Sequence, residues 1–128
     1  MSNYFTPFSF DKQAAAANLP VPYVTDSRHL VFAVHADAAT NVTIKVMGSS
    51  QQDAPDFDSA ASATNDWGYI GFRDLADASL KSGATGITIP NTTHHKLYEV
   101  ESNVLQHIAF ELTSVSGDGV TIKGVIKS

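Results

Sequence analysis

From Leu30 the chain alternates with a period of two. Leu30, Phe32, Val34 and Ala36 share one face of an extended segment, and Val31, Ala33 and His35 share the other. Residues 37–41 read as a turn. Val42, Ile44 and Val46 then alternate with Thr43, Lys45 and Met47. The pattern returns near the C-terminus, where residues 107–124, HIAFELTSVSGDGVTIKG, echo residues 29–46, HLVFAVHADAATNVTIKV. His29, Phe32 and Val42-Thr43-Ile44-Lys45 recur as His107, Phe110 and Val120-Thr121-Ile122-Lys123. Both copies carry turn-forming residues at their middle. Each copy therefore predicts a β-hairpin, and the two apolar hairpin faces predict two sheets packed on one another, with Lys45 and Lys123 pointing outward.

The stretch between the copies is less regular. Residues 48–66, GSSQQDAPDFDSAASATND, are small and polar around one large anchor, Phe57. They predict a long loop with a short strand near residues 56–60. Strands are expected over residues 67–74, 86–90 and 96–101. Residues 75–81, LADASLK, predict one or two helical turns stopped by Gly83. Gly124 interrupts the alternation of the last strand and predicts a bulge there. With many short strands and no strand followed by a long helix, the expected fold is an all-β antiparallel sandwich, jelly-roll-like or Ig-like.

Residues 1–27 read differently. Tyr4, Phe5, Phe8 and Phe10 crowd around Asn3, Pro7 and Ser9, residues 14–17 are compatible with one helical turn, and Pro20 and Pro22 enforce an extended path. The segment reads as an extended N-terminal arm over residues 1–27, laid across the 28–128 sandwich or a neighbouring subunit, with the four aromatics as its partner-binding residues. The competing expectation is an edge strand plus a short helix closing the sandwich.

Composition narrows the function. The 128 residues suit one domain with a core, and 43% are hydrophobic. No run of eighteen apolar residues marks a membrane span, and no basic start followed by an apolar stretch marks a secretory signal. The expectation is a protein that stays in the cell that makes it or leaves by assembly or lysis. Cysteine is absent, which removes disulfides, thiolate nucleophiles and sulfur metal sites. The formal net charge is −5, and between Asp37 and Asp77 seven Asp meet only Lys45 and Arg73. Such a surface repels phosphate backbones, so nucleic acid is not an expected partner.

Candidate chemistry is thin. His94 and His95 are adjacent, and neighbours on a strand point to opposite faces, so a shared metal is not expected. His29 and His107 open their strands and read as rim residues. Asp53, Asp56 and Asp58 lack the glycine and terminal Glu of a calcium loop. Glu99 and Glu101 share a strand face, the pattern of an exposed face more often than of a carboxylate pair for sugar hydrolysis. Nucleophile-elbow, phosphate-loop, dinucleotide and zincin motifs are missing. Residues 41–43 and 91–93 fit the glycosylation pattern but read as turns. The expectation is a non-enzyme without cofactor or metal.

The stretch VTIKVMGSSQQDAPDF, then WGYIGF, then the ending LQHIAFELTSVSGDGVTIKGVIKS, resembles small tailed-phage virion proteins. The resemblance spans roughly residues 30–127 and rests on a strand running into an aromatic-bearing loop and a closing strand that turns on glycine. It implies a capsid decoration (cement) protein or related head component, located in the virion. The implied partners are the major capsid protein or other virion subunits, with further copies of itself as a homo-oligomer and no membrane. No catalytic residue carries over. The VMGSSQQDAPDF stretch is also similar to discoidin-type sugar-binding sandwiches, which would place Trp67, Tyr69 and Arg73 at a rim pocket.

Overall fold

The computed structural model describes residues 5–22, 24, 29–102 and 105–127. Two antiparallel sheets face each other. Their strands are β1 (Phe5–Gln13), β2 (Ala17–Pro20), β3 (His29–Ala36), β4 (Asn41–Ser49), β5 (Gly68–Ile70), β6 (Phe72–Asp74), β7 (Leu80–Lys81), β8 (Ile87–Pro90), β9 (His94–Glu101), β10 (His107–Ser116) and β11 (Val120–Lys127). One sheet runs β1-β11-β3-β9-β6-β7 and the other β2-β10-β4-β5, with β8 beside β5 along the same edge of β4. The expected all-β sandwich is the fold observed.

The repeat is real in space, but its copies are not hairpins. β3 and β4 lie in opposite sheets, as do β10 and β11. Each copy arches across the core, so its two apolar faces meet each other rather than lying side by side. The first arch closes on Asp37, whose carboxylate accepts from Ala39 N at 3.0 Å and from Thr40 Oγ1 at 3.1 Å. Arching leaves each strand's hydrogen-bonding edges open, and the other copy fills one edge of each. β3 pairs with β11 and β10 with β4. The registers are equivalent: His29 faces Lys127 and Phe32 faces Gly124, while His107 faces Ser49 and Phe110 faces Val46. The two arches are thus interlocked about a pseudo-two-fold axis. At its centre the equivalent rings of Phe32 and Phe110 meet edge to face at 4.8 Å.

Over its described residues 5–20 the N-terminal segment is paired into the sheets and is not a free arm. β1 is the edge strand beside β11, in register from Phe5 opposite Lys127 to Phe10 opposite Ile122. Phe8 is buried, and its ring lies 6.1 Å from Phe110, with Phe10 packed against the same core at 6.3 Å. The alternation Phe8-Ser9-Phe10 is itself a strand signal, and Pro7 is tolerated because β1 is an edge. Tyr4 lies outside the described residues. Residues 14–17 form no helical turn; Ala17 opens β2, which pairs with β10.

Other expectations shift as well. Residues 75–81 make a turn and the two-residue β7 instead of a helix, with Asp74 N donating to Ser79 O at 2.9 Å. Residues 56–60 are a turn held by Asp56, whose carboxylate accepts from Asp58 N and Ser59 Oγ. Gly124 sits in an unbroken register with both neighbours. It faces inward between Ile122 and Ile126, where a Cβ would lie 2.1 Å from Val31 O and 2.9 Å from Phe8 Cζ. Glycine there makes room for the Phe8 ring. The register breaks come at Lys12 and Ser114, both with positive φ.

Candidate functional site

The outer faces of the two sheets differ. On the five-stranded sheet, Met47 and Ala109 point outward but are buried, because the 50–67 loop folds over them with Phe57 and Trp67. Ser49 Oγ donates to Asp66 O at 2.6 Å and Asn18 Nδ2 to Phe57 O at 3.1 Å, pinning that loop to β4 and β2. Nothing among the described residues covers the six-stranded sheet in this way.

On that bare face the registers set out transverse rows. Pro7, Val125, Val31, Glu99, Arg73 and Leu80 form one. Ser9, Lys123, Ala33 and Leu97 form the next, and Phe5, Lys127, His29 and Glu101 flank the first on the other side. Six large apolar side chains are exposed among the described residues: Phe5, Tyr69, Leu75, Leu80, Leu97 and Val125. All but Tyr69 belong to this face or its margin, so the exposure is a patch and not a scatter. Leu97 is 52% exposed although it stands near the middle of β9.

Three shallow hollows run together along the patch. The largest, about 620 Å³, lies between β1, β11, β3 and β9 over Pro7, Val31, Ala33, Leu97 and Val125. A second, about 440 Å³, continues from Ala33 and Leu97 to Leu75 and the His35–His95 pair. A third, about 310 Å³, continues from Val31 and Val125 to Phe5 and His29.

Charge is sorted by strand. β11 presents Lys123 and Lys127, and β9 presents Glu99 and Glu101, with the uncharged Val31 and Ala33 of β3 between them. Glu99 has Arg73 at 4.0 Å, a loose pair in solvent. Lys127 lies 5.7 Å from the centre of the Phe5 ring. At the other end, His35 Nδ1 and His95 Nδ1 are 2.8 Å apart, so one ring donates to the other. Burial, then the nearby His95 and Lys123 charges, hold His35 below the usual histidine value.

The residues singled out from sequence are dispersed. Phe5 is on the bare face, whereas Phe8 and Phe10 serve the core. Trp67 and Tyr69 do meet, edge to face at 5.3 Å. Trp67 Nε1 donates to Ser59 O, Tyr69 Oη donates to Glu111 at 2.8 Å, and Lys45 Nζ lies 4.9 Å from the centre of the Tyr69 ring. Arg73 is not with them. The chain changes sheets at Gly71, so β5 carries Tyr69 in one sheet and β6 carries Arg73 in the other. The three residues form no common rim pocket. His94 turns away from His95 and shares a hydrogen bond with buried Tyr98 at 2.9 Å. Among the described residues no three His, Asp or Glu side chains gather as metal ligands.

Val31, Ala33, Leu97 and Val125 were not read as functional from sequence. Their signal was present: LVFAV is apolar on both faces, and a strand apolar on both faces has both covered. The hollows present mostly apolar side chains, and at their β1 edge Ser9 Oγ donates to Asp11 Oδ1 at 2.8 Å.

No family model matches the chain, and no curated protein sequence matches it. Among solved structures it is similar to the crystal structure of the SPBc2 prophage-derived protein YomS, with a TM-score of 0.60 and 19% sequence identity over 100% of this chain and 96% of that one. At that identity the likeness is one of fold, and it extends through both sheets from end to end.

Proposed function

We propose that this chain is a non-enzymatic structural protein of a tailed-phage particle, a decoration or cement protein that steadies neighbouring capsid subunits. The bare apolar face of the six-stranded sheet carries the reading. Five exposed apolar side chains on a folded sandwich are costly to leave in water and are stabilised by a protein surface laid on them. The sequence resemblance to phage virion proteins and the fold shared with a prophage-derived protein support the same reading. The contact runs through the rigid sheet face and Phe5, in place of a detached arm. The partner is the major capsid protein or another virion subunit, further copies of this chain included.

The test is particle association. Tagged chain is produced in cells assembling the phage that encodes it, and heads are banded by density. The expected result is chain in the head band after a salt wash, and loss of it from that band with Leu97→Asp. Chain that stays wholly in the soluble fraction overturns the proposal.

A further inference from the structure

We propose that the bare face of the six-stranded sheet is a self-association surface, on which a second copy of this chain docks about a two-fold axis lying parallel to β3. The inference rests on the reading of this face as a contact surface and names its occupant.

β3 is flanked by a basic strand on one side, with Lys123 and Lys127, and an acidic strand on the other, with Glu99 and Glu101. A two-fold rotation about an axis along β3 lays β9 of one copy over β11 of the other while keeping the transverse rows aligned. Glu101 then meets the partner's Lys127, and Leu97 covers the aliphatic stem of the partner's Lys123. Val31 and Ala33 meet their own equivalents. Every contact occurs twice, as an isologous interface requires. Rotation about the perpendicular axis sets Lys127 over the partner's Thr121 and Glu101 over the partner's His95, so neither residue meets a residue of fixed opposite charge. The sequence order of charges thus selects one axis.

The supply of charge is adequate. Neither Glu101 nor Lys127 has an ion-pair partner among the described residues, Lys127 lying over the Phe5 ring at 5.7 Å, and the Arg73–Glu99 pair is loose at 4.0 Å. So is the area. Four strands about 4.8 Å apart, each about eight residues long at ~3.3 Å per residue, offer about 500 Å² of face per copy. Two such faces bury about 1,000 Å², where specific interfaces begin.

The test uses full-length protein in sedimentation equilibrium across a dilution series. The wild type is expected to dimerise. Glu101→Lys and Lys127→Glu, both surface changes, should each weaken the dimer at least ~10-fold, because each sets like charges face to face twice. Mixing the two variants should restore association, since the mixed dimer regains both pairs. Leu97→Asp should be monomeric. A wild type that stays monomeric, a mixture no tighter than its components, or a dimeric Leu97→Asp protein each overturns the proposal. The two readings fail separately: a monomer that still enters heads sinks the dimer alone, and a dimer never found in heads sinks the virion role alone.

Discussion

Two residues show how narrow the tolerances are. Gly124 is needed for space and not for backbone freedom, because a methyl group there collides with Val31 O and crowds the Phe8 ring. Gly124→Ala is expected to cost about 1–3 kcal/mol in urea unfolding. Gly68→Ala is the control, with nothing within 4 Å of the added carbon, and is expected to be near neutral. Tyr98 sets the alkaline limit. Burial first, then the Asp74 and Asp77 charges, push its hydroxyl up from 10.0 to about 12. Its folded value is raised, so its stabilisation is complete below pH 10 and is lost as pH climbs toward 12. His94 and His35, both held below the usual histidine value, set the acid limit. Burial and Lys96 lower the His94 value from 6.5, against the pull of Asp74. The unfolded chain therefore takes up each proton first, and stability falls as pH drops below about 6.5. A pH series of thermal unfolding should show a plateau between those limits. Tyr98→Phe should shrink the alkaline decline, leaving the part due to the Tyr69 hydroxyl, which its bond to Glu111 also raises, and an unchanged decline in that variant would assign it wholly to other groups.

At the scale of elements, β1 is the segment whose role changed most between sequence and structure. Aromatics at Phe5, Phe8 and Phe10 among Pro7 and Ser9 fit either an arm or an edge strand, since both are extended. The opposing strand decides it: β11 pairs with β1 in register, and Gly124 opposite Phe8 carries no side chain to crowd the Phe8 ring. Deleting residues 1–12 is therefore expected to unfold the domain or lower its melting temperature sharply, rather than release an intact sandwich. Phe8→Ala alone should cost about 3–5 kcal/mol. A truncated chain that melts like the full one would restore the arm. The 50–67 loop was legible as a loop with Phe57 as its anchor. Its partners Met47 and Ala109 were not, because both sit at outward positions that alternation marks as solvent-facing.

For the molecule as a whole, the interlocked arches tie the two sheets through equivalent residues. Phe32 and Phe110 occupy the same place in their copies and touch. Phe32→Ala and Phe110→Ala should each destabilise by about 3–5 kcal/mol. The double variant should fall short of their sum, because each single change already removes the shared contact. Strict additivity in chemical denaturation would mean that the rings act independently. The rim pocket imagined around Trp67, Tyr69 and Arg73 failed at this scale. Three residues close in sequence were parted by one change of sheet at Gly71.

The sequence by itself determined β3, β4, β8, β9, β10 and β11 and which of their side chains share a face, because a two-residue period is a local property of extended backbone. It determined the turn sites and the relation between residues 29–46 and 107–124, and it held the unused apolar signal of LVFAV. The tertiary structure alone decided that each repeat arches across the core, that β1 closes an edge, and that one sheet face is capped while the other, among the described residues, stays bare. Those outcomes depend on which distant strand supplies each hydrogen-bond partner. Alternation carries no information about that choice, since every edge offers the same row of N–H and C=O groups.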